Sequence, residues 1–287
     1  MKLATIQGLQ RVLYDPAAPG EFNIQTCRSL RDRAVDDCLD AVEEAANRGA
    51  DLIVTTEAVN VSVFPQDTRY DFAESAEPMD GPIVSRFSDL ARRKNCYIVA
   101  GLYTRREGTA YNSALFLSRN GDLLGIYDKV HLPVGEVGYL QGGDGYIQFE
   151  TEFGVVAPLI CWDLQFPESA RIVSLKGADL IVCPTWGWEN IYGLSRAYEN
   201  GVWIAAAMAV PPRGYLWDNN DPGCIVDGAG KVRASAARDR AGIVLADVDI
   251  RERPSLQYGI NPLAGFGSMR DVRLGLRRPD TYAELSR

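Results

Sequence analysis

Histidine is nearly absent from this chain of 287 residues, with His131 its single copy. A serine or cysteine triad takes its base from histidine, so either His131 serves or chemistry of that type is excluded. Six cysteines, at 27, 38, 96, 161, 183 and 224, include no CxxC pair and no histidine partners at zinc spacing. They read as reduced cytosolic thiols, and no structural metal is expected. Basic charge is not in excess: the net charge of -8 argues against a nucleic-acid or anionic-membrane partner. The longest uninterrupted apolar run, Val202 to Val210, falls far short of the roughly 20 residues of a membrane span. MKLATIQGLQRV lacks the apolar core of a signal peptide, so a cytoplasmic location is expected.

What is present reads as alternating strands and helices. LATIQ (3–7) has a strand pattern, and 27–48 a helix with Leu30, Ala34, Val35, Leu39, Val42 and Ala46 on one face. ADLIVTTE (50–57) is a short buried strand ending at Glu57, and a helix over 83–94 leads into CYIVAGLY (96–103). YNSALFLS (111–118) and LLGIYDKV (123–130) flank Asn120-Gly121-Asp122, a hairpin signal. ADLIVCPTW (178–186) repeats the pattern of ADLIVTTEA, a helix over 189–201 leads into VWIAAAMAV (202–210), CIVDGAGKVRASA (224–236) is a second hairpin, and GIVLADVDI (242–250) a last strand. No low-complexity linker interrupts the run. The expectation is an α/β fold with one domain over 1–250 and a polar C-terminal arm over 251–287.

The stretch that organises the chain is GVVAPLICWDLQFPESARI, residues 154–172. An apolar run ends at Cys161, and Pro167 and Glu168 suit the first turn of a helix. Strand, sharp turn and helix would place one thiol at the mouth of a sheet, where the amides opening the helix favour a thiolate. A buried structural thiol is the competing reading. Without histidine, the remaining bases for a thiol are carboxylate and lysine. Glu57 closes one strand and Lys129, in YDKVHLP, another; each alone reads as well as a solvated ion-pair partner, and together with Cys161 they suggest a Glu-Lys-Cys site.

TTEA around Glu57, YDKVHLPVGE around Lys129 and CWDLQFPESAR around Cys161 resemble, in order and spacing, the three signature segments of the nitrilase superfamily of carbon-nitrogen hydrolases. The likeness extends to YNSALFL, SRAYENGVWIAAA and LRRPDTY, covering nearly the whole chain. It implies an α-β-β-α sandwich, commonly paired as a homodimer that exchanges C-terminal arms, and no cofactor or metal. Carried over residue by residue, Cys161 is the nucleophile, Glu57 the general base and Lys129 the electrostatic stabiliser. Glu136 matches a second glutamate that positions substrate, and the backbone N–H of Trp162 would help to hold the oxyanion. His131 reads as support behind the site rather than as a base. Trp186, Trp188 and Tyr192 either wall the substrate pocket or pack the core.

CWDLQFPE and DKVHLP look like the amidase and N-carbamoyl amidohydrolase branches. The expected reaction is hydrolysis of a small linear amide or N-carbamoyl compound through a cysteine thioester, with release of ammonia. A nitrilase is the enzyme alternative, and a catalytically silent ligand-binding pseudoenzyme the alternative from another class. Specificity is expected in loops 58–70, 134–145 and 186–192.

Overall fold

A computed structural model of the chain describes residues 1–9, 11, 24–61, 76–210, 220–256 and 265–286. Strands β1 (Lys2–Leu9), β2 (Leu52–Val54), β3 (Glu77–Pro78), β4 (Tyr97–Arg106), β5 (Thr109–Leu117) and β6 (Leu123–Asp128) come first. They alternate with helices α1 (Ile24–Asn47) and α2 (Pro82–Lys94). β7 (Phe149–Thr151), β8 (Gly154–Pro158), α3 (Pro167–Leu175), β9 (Leu180–Thr185), α4 (Asn190–Asn200) and β10 (Trp203–Val210) follow. β11 (Cys224–Val226), β12 (Val232–Ser235), β13 (Gly242–Asp247) and α5 (Met269–Gly275) complete the strands and α-helices, and 3-10 turns over Pro279–Thr281 and Ala283–Ser286 follow.

The strands form two sheets. One runs β13-β1-β2-β4-β5-β6 and the other β12-β11-β10-β9-β8-β7. They are joined where the end of β1 pairs in parallel with the end of β10, Gly8 opposite Ala209 and Leu9 opposite Val210. β13 lies antiparallel along β1 from Lys2 to Gln7, and β3 continues the edge of β4 beyond the reach of β2.

Alternation of side chains along the strands shows how the layers stack, because successive residues of a strand face opposite sides. Leu52 and Val54 of β2, Val99 of β4, and Ala114 and Phe116 of β5 share a core with Val156 of β8, Leu180 and Val182 of β9, and Ile204 of β10. Their neighbours Ile53, Ile98, Ala100, Leu115 and Leu117 face the other way, onto Val35, Leu39 and Val42 of α1 and Phe87 and Leu90 of α2. The central strands of the second sheet, β9 and β10, are buried on both faces. Leu180 to Cys183 all lie in the core that also takes in Ala170 and Val173 of α3 and Ala197 of α4. Continuous apolar runs such as LIVC and WIAAAMAV reflect that double burial. The result is the expected α-β-β-α sandwich.

The sequence reading places the elements within a few residues, and the hairpin at Asn120-Gly121-Asp122 joins β5 to β6. Gly121 has φ +83° and packs its α-carbon face on the Ser88 carbonyl, so no side chain fits there. Short β7, paired antiparallel with β8, had no sequence signal of its own. Beyond β13 the chain packs back on its own body: buried Arg270 donates to the carbonyls of Ser174 and Gly201, at the ends of α3 and α4. Those carbonyls carry the negative ends of two helix dipoles. No helix among the described residues is long and apolar enough to cross a membrane.

Gly101 of β4 sets how closely that strand packs against the backbone beyond β2 that carries Glu57. A methyl group added there would lie 2.3 Å from the Thr56 carbonyl and 3.0 Å from Glu57 Cα. Gly101→Ala is therefore expected to destabilise the protein by about 1–3 kcal/mol and to displace the Thr56-Glu57 backbone. Urea unfolding checks it, and an unchanged midpoint would contradict this account of the packing.

Candidate active site

Strand β8 ends at Pro158, and Ile160 is still extended, with φ -106° and ψ 119°. At Cys161 the backbone turns into the left-handed region, φ +45°, a conformation that costs a non-glycine residue and persists only where its surroundings enforce it. A 3-10 turn over Cys161–Gln165 follows, and α3 begins at Pro167. The α-helix thus opens at Pro167, where the sequence places its first turn, and the 3-10 turn fills the gap between it and the thiol. Asp163, fully buried, holds the turn. Its Oδ2 accepts from the Ile160 N–H at 2.9 Å and from the Tyr127 hydroxyl at 2.7 Å; its Oδ1 accepts from the His131 N–H at 2.9 Å.

Two other strand ends deliver the charged residues. β2 stops at Val54, and Glu57 lies in the turn beyond it, where Ala58 takes φ +50°. β6 stops at Asp128, and the Lys129 N–H donates to the Asn112 carbonyl of β5 at 2.8 Å. The Lys129 side chain is 1% exposed. Its Nζ lies 2.8 Å from Glu57 Oε1 and 3.0 Å from Glu136 Oε2, an ammonium between two carboxylates. Asn112 Nδ2 bridges the same pair, at 2.7 Å from Glu57 Oε1 and 2.9 Å from Glu136 Oε1. The Tyr103 hydroxyl donates to Glu136 Oε1 at 2.9 Å, and the Trp186 N–H to Glu57 Oε2 at 2.9 Å.

Burial works against the charge on Lys129, yet Glu57 and then Glu136 outweigh it and hold the ammonium well above its ordinary range. Burial raises Glu136, the Lys129 ammonium opposes that rise, and the Glu57 carboxylate adds to it. For Cys161, burial pushes the thiol up to about 11 and Glu57 adds to the rise, against Lys129, the Thr185 hydroxyl and the Trp186 amide. Burial and the neighbouring carboxylate thus favour a protonated Cys161, the form from which the expected base Glu57 would take a proton, against the pull of the turn amides toward a thiolate.

The remaining residues picked from the sequence lie at several depths. The Trp162 side chain is 40% exposed, and its N–H has no acceptor among the described residues. His131 turns Nδ1 to Asp163 Oδ1 at 3.0 Å and stacks on Phe166 with ring centres 4.0 Å apart. Trp186 lies beside Tyr103 and Leu140, its indole N–H donating to the Glu57 carbonyl at 2.8 Å. Trp188 is entirely buried, with its indole N–H on Asn190 Oδ1 at 3.0 Å, and Tyr192 meets it edge-on at 5.4 Å. The Tyr192 hydroxyl donates to the Gly187 carbonyl. The loop expected at 58–70 lies outside the described residues beyond Val61. Sequence reasoning missed Asn112, Tyr103, Asp163 and Thr185 as site components. Asn112 had a signal, a polar amide inside an otherwise apolar strand.

The carbon-nitrogen hydrolase family model matches residues 24–257, most of the chain. The chain belongs to the carbon-nitrogen hydrolase family. This carbon-nitrogen hydrolase is 33% identical over 267 residues to the citrullinase of Francisella tularensis, covering 85% of the chain and 89% of that protein. It is 30% identical over 242 residues to the human omega-amidase, covering 76% and 84%. With a probable nitrilase of Schizosaccharomyces pombe the figures are 32% over 222 residues, 74% and 80%. Among solved structures, an amidase from Nesterenkonia sp. superposes with a TM-score of 0.75 at 23% identity, covering 99% of this chain and 96% of that one. Other crystals of the Nesterenkonia amidase carry the acetamide moiety of fluoroacetamide on the active-site cysteine. The protein is a hydrolase of carbon-nitrogen bonds.

Removing the ammonium would leave two buried carboxylates facing each other. Lys129→Met is expected to cost about 3–5 kcal/mol, the range seen when one partner of a buried ion pair is deleted. Without the ammonium that opposes its burial, Glu136 would keep its proton to higher pH in the folded than in the unfolded chain. A folded-state pKa raised in this way stabilises at low pH and loses that contribution as pH rises through it. Urea unfolding between about pH 5 and pH 8 should show the variant losing stability more steeply than the parent.

Proposed function

We propose that the protein hydrolyses a small linear amide or N-carbamoyl compound through a thioester on Cys161, releasing ammonia. The observation that carries this reading is the Lys129 ammonium held between Glu57 and Glu136 beside a half-buried thiol. Relatives named citrullinase and omega-amidase support the substrate class.

In this reading Cys161 Sγ attacks the carbonyl carbon while Glu57 takes the thiol proton. A base is required in that step because a thiol raised to about 11 is protonated near neutral pH. The carbonyl oxygen becomes an oxyanion, facing the Lys129 ammonium and the unpaired Trp162 N–H. Lysine held well above its ordinary range acts as a fixed charge and forms no Schiff base. Glu57 passes its proton to the departing nitrogen, ammonia leaves and the thioester remains. Water, deprotonated by Glu57, then releases the acid and restores the thiol. Glu136 positions the substrate, and Trp186 borders it.

We also propose a homodimer built on residues 1–250, with 251–287 as the contacting arm. Ile191, Leu276 and Leu285 are 75%, 64% and 68% exposed in the helical layer and its C-terminal extension, apolar surface of the kind a second copy would cover. Leu276→Arg is expected to yield monomers in sedimentation velocity; an unchanged mass would remove the arm from the interface.

Ammonia release from a panel of amides, N-carbamoyl amines, N-carbamoyl amino acids and nitriles tests the function. Turnover of amide or carbamoyl compounds, abolished in Cys161→Ala, is the expected outcome. Release from nitriles alone would favour the probable nitrilase among the relatives as the better guide. Silence across the panel, together with a Cys161 inert to alkylation, would favour a binding scaffold.

A further inference from the structure

The carbonyl of Gly187 collects three donors. The Thr185 hydroxyl donates to it in a short hydrogen bond, the Tyr192 hydroxyl donates at 2.8 Å, and Cys161 Sγ lies 4.0 Å away on the thiol side. Two lone pairs serve three donors, so this acceptor is oversupplied. Thr185 is fully buried at the last position of β9, and its Oγ1 also accepts from the Gly187 N–H at 3.1 Å. A hydroxyl rotates about its C–O bond, and Tyr192 keeps the Gly187 carbonyl satisfied if Thr185 turns away. The Thr185 hydroxyl and the Cys161 sulfur thus meet at one carbonyl oxygen, and a hydroxyl on that side favours the ionised form of the sulfur.

We propose that Thr185 is a switchable donor for the Cys161 sulfur, its O–H bonded to the Gly187 carbonyl in the resting enzyme and turned onto Sγ while the sulfur carries negative charge. The inference deepens the proposed thioester mechanism and rests on it. When Glu57 takes the proton from Sγ, the carbonyl loses its weak S–H donor and the sulfur needs a replacement. The Thr185 O–H supplies it without leaving a buried group unpaired. As the S–C bond forms, charge moves from sulfur to the carbonyl oxygen and the hydroxyl returns to Gly187. The same motion serves hydrolysis, where water displaces sulfur as a thiolate that regains its proton from Glu57. Nothing is oxidised, and each proton moves only between Sγ, Glu57, water and the leaving nitrogen.

The test compares Thr185→Val, which keeps the shape and removes the hydroxyl, with Thr185→Ser, which keeps the hydroxyl. Alkylation of Cys161 by iodoacetamide is followed by peptide mass spectrometry at several pH values, alongside kcat and KM on whichever substrate the panel identifies. Below the thiol pKa the alkylation rate follows the thiolate fraction, so loss of a donor lowers the whole rate-against-pH line. Thr185→Val is expected to react about tenfold more slowly at a given pH, equivalent to a pKa raised by about one unit. kcat/KM should fall with it mainly through kcat, and Thr185→Ser should recover both to within a few-fold. Alkylation in Thr185→Val at the parental rate would overturn the proposal. Equal slowing in the valine and serine variants would also overturn it, because packing of the methyl would then be responsible. Ammonia release that survives in Cys161→Ala would overturn the thioester reading instead, while the alkylation rates still decide what the hydroxyl does to the sulfur.

Discussion

A single buried positive charge shared by two carboxylates is the constraint around which this site is built. Moving an ion from water into a protein interior costs several kcal/mol even after relaxation, and here three ions are buried together. The arrangement holds because every charged atom has close partners: Lys129 faces Glu57 and Glu136, and both carboxylates share the Asn112 amide. The cluster also ties three strands of one sheet together, since Glu57 follows the end of β2, Lys129 follows the end of β6 and Asn112 lies within β5. The backbone of Trp186, just past β9 in the opposite sheet, reaches across to Glu57 Oε2. Electrostatic pairing therefore fixes the relative position of the two sheets at the end where the thiol emerges.

The thiol is positioned by a different device. A non-glycine residue at φ +45° needs enforcement, and Asp163 provides it by gripping the amide before the turn, the Tyr127 hydroxyl and the His131 backbone together. His131, the one imidazole, is thereby engaged with a carboxylate that faces the turn rather than the sulfur. The scarcity that left His131 the one candidate imidazole base and the geometry of Asp163 lead to the same place. What remains near the sulfur to take a proton is a carboxylate.

Much of the fold was legible because its signals are local. The apolar runs of β9 and β10 and the Asn120-Gly121-Asp122 turn carry periodicity and turn chemistry in consecutive residues. The family resemblance supplied the sandwich, which strand patterns alone did not determine. The 3-10 turn after Cys161 was invisible, because it is imposed by Asp163 contacts with residues about thirty positions away in the chain. Glu57, Lys129 and Glu136 meet as their motifs suggest, yet the Asn112 amide that joins them signals in the sequence only that a polar group is buried, not which carboxylates it meets. The raised Cys161 could not be read from its turn alone for a related reason: turn geometry is local, while desolvation and the neighbouring carboxylate are properties of the assembled site.

A protonated resting thiol has a mechanistic consequence. A preformed thiolate would react with any electrophile that entered, whereas a thiol held up by burial gains nucleophilicity only while a base is removing its proton. In the proposed reaction the fixed ammonium then acts in two ways. It lowers the cost of charge on sulfur at the start, opposing burial and Glu57, and it faces the oxyanion once the charge has moved. Because Lys129 is held in place by two carboxylates before substrate arrives, little reorganisation is needed as the charge shifts. Burial costs stability in the resting enzyme and is offset in the transition state, where the same low-dielectric surroundings strengthen the attraction between ammonium and oxyanion.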